Sequence, residues 1–343
     1  MAREPARRQR ATGPRAPPGV APAGYGGPVA DPLADAVRAG DPRAVARAIS
    51  LVEDGGAGGA TVLAALSGAV GRAHRIGITG PPGVGKSTLL AALGQRWRAA
   101  GRRVGIVAVD PTSPFTGGAL LGDRVRMGAL YGDPGVFIRS LASRGALGGV
   151  SAGTHDAADV LDAAGFDPVV VETVGVGQGE VAVAAVADTV VVVVAPGHGD
   201  GVQAMKGGLL ETADLLVVNQ ADREGAEGLA AELRAAIELR ERGRRPDVLL
   251  TTASEGRGVA ELAAAIDAHR RDLAAAGGLG SRRAERALAR VRDEVDRRRA
   301  RAFWAARAGD LARLVAEVVD GRMTVAAAAD RLDDVRPPEP PRS

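Results

Sequence analysis

The chain has 343 residues, 25% of them charged, which is enough for one large or two ordinary domains around a sizeable core. It contains no cysteine, which excludes a disulfide framework, thiolate metal sites and a cysteine nucleophile, and fits a reducing, cytoplasmic compartment. The 44 basic and 41 acidic side chains leave a net +3, and the first 15 residues hold five arginines against Glu4, so the pI near 9.9 reports a basic tail rather than a basic body.

Residues 1–30 are Arg, Pro, Ala and Gly with almost no large apolar side chain, a composition that cannot offset the entropy of ordering and predicts a disordered tail. No serine precedes Ser50, and Pro5, Pro14, Pro17 and Pro18 interrupt any amphipathic helix, against a mitochondrial leader. No apolar run approaches the roughly 18 residues of a membrane span, so a soluble protein without a membrane partner is expected. Residues 31–71 form a helical segment: apolar positions recur at helical spacing (Leu33, Val37; Val45, Ala48, Ile49, Val52), with Asp31 and Asp41 as N-caps.

From residue 72 to about 270 the pattern changes to β-branched runs separated by Gly-rich turns and helical stretches. The runs are Arg75 to Thr79, Val104 to Asp110, Val169 to Thr173, Thr189 to Ala195, Asp214 to Asn219 and Asp247 to Thr251. Continuous apolar strands alternating with helices predict an α/β domain, a mostly parallel, doubly wound sheet covered on both faces. Residues 271–335 read as a C-terminal helical arm, a long helix pair interrupted near Gly309 followed by a short helix capped by Thr324. Residues 282–301 carry nine Arg and four acids, read as a solvated helix face rather than a nucleic-acid surface. Aromatic residues are only 2%, which leaves few base-stacking platforms. Residues 336–343, with four prolines, form a second tail.

Residues 80–87, Gly80-Pro81-Pro82-Gly83-Val84-Gly85-Lys86-Ser87, match G-x-x-x-x-G-K-[ST] in full, between the strand run Ile76-Gly77-Ile78 and the helical Thr88-Leu89-Leu90. Glycines let the backbone wrap so that its N–H groups point at a β-phosphate, and the helix N-terminus adds positive potential. Lys86 supplies a cation to the β and γ oxygens, and Ser87 a hydroxyl to Mg²⁺. The chain has two lysines among its 44 basic residues, and one is Lys86.

Three acids follow at strand ends or beside a Gly-rich loop: Asp110, Asp123 and Glu172. Carboxylates at the carboxyl ends of parallel strands face the ligand crevice of a doubly wound sheet, so these three, with Ser87, are the expected Mg²⁺ site, partly through water. Gly175, in Val174-Gly175-Val176-Gly177-Gln178, would lend its N–H to the γ-phosphate, and Gln178 is the candidate for orienting the attacking water. Asn219-Gln220-Ala221-Asp222 sits where GTPases carry N-K-x-D. The Asp222 carboxylate can accept two hydrogen bonds that guanine donates and adenine does not, while Gln220 replaces the lysine without its charge. Thr251-Thr252-Ala253 is placed to bring a backbone N–H to the guanine oxygen.

This ordered set, with Asp110-Pro111-Thr112-Ser113-Pro114-Phe115-Thr116-Gly117-Gly118, Gly122-Asp123-Arg124-Val125-Arg126-Met127 and Glu172-Thr173-Val174-Gly175-Val176-Gly177-Gln178, resembles the MeaB/ArgK/methylmalonic-aciduria-type-A family of P-loop GTPases over residues 32–335. The resemblance implies a GTP- and GDP-binding chaperone of an adenosylcobalamin-dependent acyl-CoA mutase. Such a chaperone gates cofactor loading and protects or reactivates the mutase. The resemblance also implies a homodimer built partly through the C-terminal arm, and nucleotide and metal roles for Lys86, Ser87, Asp110, Asp123, Glu172 and Asp222. The family's mobile loop falls on Pro196 to Gly207, with His198 and the second lysine, Lys206; where relatives often pair lysines, this chain has Lys206-Gly207. The expected chemistry is Mg²⁺-dependent hydrolysis of GTP by in-line attack of water, slow until a partner binds. The alternatives are a maturation GTPase of the metallochaperone type, which the missing Cys and His cluster disfavours, and a nucleotide-gated interaction module with negligible hydrolysis.

Overall fold

The computed structural model describes residues 31–110, 127–142, 150–173, 182–197, 209–239 and 245–334. Its centre is a seven-stranded sheet: β1 (Arg75–Thr79), β2 (Val104–Asp110), β3 (Val136–Ala142), β4 (Val169–Thr173), β5 (Thr189–Val194), β6 (Leu215–Val218) and β7 (Asp247–Leu250). The order is β3-β2-β4-β1-β5-β6-β7, and every neighbouring pair is parallel. The chain therefore builds outward to one side of β1 and, after β4, crosses to the other. That reversal opens a crevice at the carboxyl ends of the central strands.

Eleven helices are described around it: α1 (Pro32–Arg38), α2 (Pro42–Asp54), α3 (Ala57–Leu66), α4 (Lys86–Ala99), α5 (Ala152–Ala163), α6 (Leu209–Thr212), α7 (Ala226–Glu238), α8 (Val259–Ala275), α9 (Gly278–Ala306), α10 (Ala308–Val319) and α11 (Val325–Asp334). Alternate strand residues face two separate cores. Val107, Val109, Val169, Val171, Val192 and Val218 pack under α1–α3, α5 and α7, whereas Ile76, Ile78, Ile106, Val170, Val191 and Val217 pack under α4 and α8. Because both faces are covered, the strands need apolar residues at every position, which is why they read as unbroken Val and Ile runs rather than as alternation.

Asp31 and Asp41 cap α1 and α2 as expected, accepting from Leu33 N at 2.8 Å and Arg43 N at 2.7 Å. The structure adds α3 and the edge strand β3, whose Val136-Phe137-Ile138 signal is short and then interrupted by Arg139 and Ser140. On an edge strand such polar residues are tolerated, and Arg139 reaches out to Glu53 on α2 at 3.1 Å.

The arm breaks near Gly309 as expected; Gly309 itself lies inside α10, and the junction residue is Arg307. There the guanidinium stacks 4.0 Å from the Phe303 ring centroid and donates from Nε to Leu332 O at 2.7 Å, folding α11 back. Thr324 caps α11 through Ala327 N at 3.2 Å. No residue of α9 is fully buried; Arg292, Arg297, Arg298, Arg299 and Arg301 form the exposed face expected, but the four arginines nearest the sheet are drawn onto acids of the α/β domain. Arg282 makes a fork to Asp214 (2.7 and 2.7 Å), Arg283 and Arg286 reach Asp188 (both 3.1 Å), and Arg290 pairs with Asp156 and Asp159 (both 2.8 Å). Asp188 and Asp214 are 1% and 4% exposed, at the sheet end opposite the crevice. Burial alone would raise both carboxyls, but the arginines hold them below the ordinary range.

Candidate functional site

The site grows from the turn between β1 and α4. Gly80 leaves β1 with φ +139°, and a Cβ there would lie 2.0 Å from Val193 O on β5. Only glycine fits so close an approach of two backbones. At the other end Gly85, φ +90°, precedes α4, and its Cβ would fall 2.5 Å from Asn219 Nδ2. Between them the loop curls over Lys86, whose Nζ donates to Gly80 O at 2.7 Å and Pro81 O at 2.8 Å. Pro81 and Val84 are buried, while Pro82, Gly83 and Thr88 face outward.

Ser87 opens α4 and donates its hydroxyl hydrogen to Glu172 Oε1 at 2.8 Å. Both side chains are buried. The register explains the meeting: Glu172 sits in β4 beside Ile78 of β1 and Ala108 of β2, so it stands directly next to the strand that launches the loop. A hydroxyl and a carboxylate at one helix N-terminus are hard oxygen donors, which fit a Mg²⁺ that takes few protein ligands and completes its shell with phosphate and water. Asp110 ends β2, paired with Ala142 of β3, one strand away from Glu172. Asp123, Gly175, Gln178, His198 and the stretch to Gly207 that contains Lys206 lie outside the described residues, as do both tails.

Asn219 is the hub of the second half of the site. It lies just beyond β6, 2% exposed. Nδ2 donates to Val84 O at 2.9 Å, and Oδ1 accepts from Thr251 Oγ1 at 3.0 Å and Ala253 N at 3.1 Å. One amide thus joins the phosphate loop, the end of β6 and the turn after β7. The Ala253 N–H, which the sequence reading offers to a guanine oxygen, is directed here at Asn219. Thr252 is buried and holds its turn through Arg257 O at 3.0 Å. Gln220 donates from Nε2 to Gly83 O at 3.1 Å. Asp222 is exposed and makes no hydrogen bond or ion pair among the described residues, a carboxylate open to a ligand.

The structure therefore brings Gly80 to Thr88, Glu172, Asn219, Gln220, Thr252 and Ala253 to one sheet end. Sequence reading assigned Asn219 to base binding; that it also braces the phosphate loop depends on partners 135 and 34 positions away. Such contacts leave no local signal.

Against families of known proteins, residues 45–308 match the model described as methylmalonyl Co-A mutase-associated GTPase MeaB. A Pyrococcus horikoshii protein provisionally named a GTPase is 50% identical over 270 residues, 77% of this chain and 84% of that one. GTPase ArgK of Escherichia coli is 37% identical over 270 residues, 76% and 82% of the two chains. The crystal structure of an LAO/AO transport system kinase superposes with a TM-score of 0.64 at 27% identity, covering 88% of this chain and 95% of that one. With the family model spanning the phosphate loop, the sheet and all of α9, the chain belongs to the MeaB/ArgK family of P-loop GTPases, which includes the methylmalonic-aciduria-type-A proteins.

Proposed function

We propose that this GTPase is a Mg²⁺-dependent chaperone of an adenosylcobalamin-dependent acyl-CoA mutase of the methylmalonyl-CoA mutase type, gating cofactor loading and protecting or reactivating its partner. The observation that carries the reading is the family match from residue 45 to 308, because one model named for a mutase-associated GTPase covers both the nucleotide site and α9 of the arm.

In the proposed reaction the backbone N–H groups of residues 83–88 bind the phosphates, and Lys86 exchanges its two carbonyl contacts for β and γ oxygens. Asp222 and the 251–253 turn select guanine. Bound Mg²⁺, held by Ser87 with Asp110, Asp123 and Glu172, supplies charge neutralisation on the transferred phosphoryl group. Gln178 orients the attacking water, and Gly175 senses the γ-phosphate and passes the state of the nucleotide to the surface.

A homodimer is supported by the outer face of the arm. With Arg282, Arg283, Arg286 and Arg290 turned to the sheet, α9 leaves Leu288, Val291 and Val295 exposed at three- and four-residue spacing, with Trp304 beyond them. The pairing of six of the nine arginines of residues 282–301 with carboxylates supports a protein partner rather than a nucleic acid. No helix among the described residues is long and apolar enough to cross a membrane, and the cysteine-free composition supports a cytoplasmic location.

The test is phosphate release from GTP with and without a purified mutase, alongside Lys86→Ala. Turnover that rises with the mutase and collapses in the variant is expected; unchanged turnover in Lys86→Ala would sink the site, and indifference to every acyl-CoA mutase would sink the chaperone role. Sedimentation of the full chain tests the dimer.

A further inference from the structure

Gln220 occupies a backbone conformation that suits it poorly. Its φ is +58°, and among the described residues it is the only non-glycine with positive φ. Gly, Asn and Asp are the residues favoured in that region. What glutamine adds over them is reach: Nε2 donates to Gly83 O at 3.1 Å, beside the bond from Asn219 Nδ2 to Val84 O at 2.9 Å. Two consecutive side-chain amides thus hold two consecutive carbonyls of the phosphate loop.

A peptide unit is planar and trans, so its C=O and N–H point in opposite directions. Fixing Gly83 O toward Gln220 turns the N–H of Val84 away from the 219–220 segment; fixing Val84 O toward Asn219 does the same to the N–H of Gly85. These are loop amides that a phosphate requires. We infer that Gln220 is a positioning residue for the phosphates: its neutral amide donor sets the orientation of the Val84 N–H, so that the residue serves the phosphate end of the nucleotide rather than the base. This rests on the reading of 80–88 and 219–222 as the nucleotide site. Because the amide acts as a donor, length and an N–H are the two properties that matter.

The experiment compares the full-length protein with Gln220→Met, which keeps the length and removes the donor, and Gln220→Lys, which keeps a donor. Binding of GDP and of guanosine, which lacks phosphate, is measured for each, together with KM and kcat for GTP. Loss of one such hydrogen bond should weaken GDP binding about three- to tenfold in Gln220→Met, raise KM in step, and move kcat and guanosine binding much less. Gln220→Lys should recover GDP binding. The inference is overturned if Gln220→Met binds GDP like the parent, if guanosine binding falls as much as GDP binding, or if Gln220→Lys is as weak as Gln220→Met. Lys86→Ala separates the two levels: GDP binding surviving in that variant refutes the site itself, whereas loss there with an indifferent Gln220→Met refutes only the role of Gln220.

Discussion

Ser87 and Glu172 are 85 positions apart in sequence and 2.8 Å apart in space, hydroxyl to carboxylate, at the head of α4. The pairing follows from strand order: β4 lies beside β1, so the last residues of β4 reach the first residues of the helix that follows β1. Strand order alone thus brings together the hydroxyl and the carboxylate that the proposed Mg²⁺ site calls for.

Removal of the hydroxyl tests this pair. Ser87→Ala should lower kcat for GTP by about 100-fold or more, the scale on which single transition-state stabilisers act, and weaken the dependence of turnover on Mg²⁺. Phosphate release titrated against MgCl₂ measures both. Parent-like Mg²⁺ dependence in the variant would remove Ser87 from the metal site.

Asn219 should matter for folding as well as for binding. Asn219→Ala strips the partners from Val84 O, Thr251 Oγ1 and Ala253 N together. Each buried polar group left unmatched costs about 1–3 kcal/mol, so a loss of roughly 2–4 kcal/mol is expected after relaxation of the two loops. Urea unfolding of the nucleotide-free protein reads this directly, without any contribution from bound ligand.

The arm is anchored by charge. Asp188→Ala removes the acceptor for Arg283, Arg286 and the Arg75 backbone N–H. Stranding buried partners in this way typically costs about 3–5 kcal/mol. Proteolysis within α9 should accelerate in the variant, while Glu294→Ala, whose partners Arg297 and Arg298 are both well exposed, should leave the arm as resistant as in the parent.

Stability should fall as pH drops from 7 toward 4, because of histidine rather than carboxylate. Burial, reinforced by Arg270, lowers His74 from 6.5 to about 4, and burial with Arg290 and Arg75 lowers His155 to about 3. Unfolded histidines take up protons below about 6.5 while the folded ones stay neutral, so protons favour the unfolded state across this window. For His74 the difference is worth about 3 kcal/mol at its fullest, near pH 4. Asp188 and Asp214, held below their ordinary 3.8, act in a lower window: their contribution is complete above that value and is lost as pH falls further. Denaturant midpoints from pH 7 to 4 should decline, and less steeply in His74→Gln.

Local chemistry made much of this protein readable from its residues alone. The phosphate loop is contiguous, so its glycines, Lys86 and Ser87 declare themselves; six strands announce themselves because a doubly covered sheet demands apolar residues throughout; and Asp31, Asp41 and Thr324 cap helices through bonds spanning only two or three positions. Edge strand β3 is less legible because one of its sides is open and tolerates Arg139 and Ser140. Only the tertiary structure decided that four of the nine arginines of residues 282–301, Arg282, Arg283, Arg286 and Arg290, leave the exposed face, since their carboxylates on Asp156, Asp159, Asp188 and Asp214 come from three separate stretches of chain. Net charge and composition cannot distinguish a solvated helix face from one clamped to buried acids. The same holds for Asn219 and Gln220, whose motif is visible in sequence but whose grip on Val84 and Gly83 exists only because β6 ends beside the turn that follows β1.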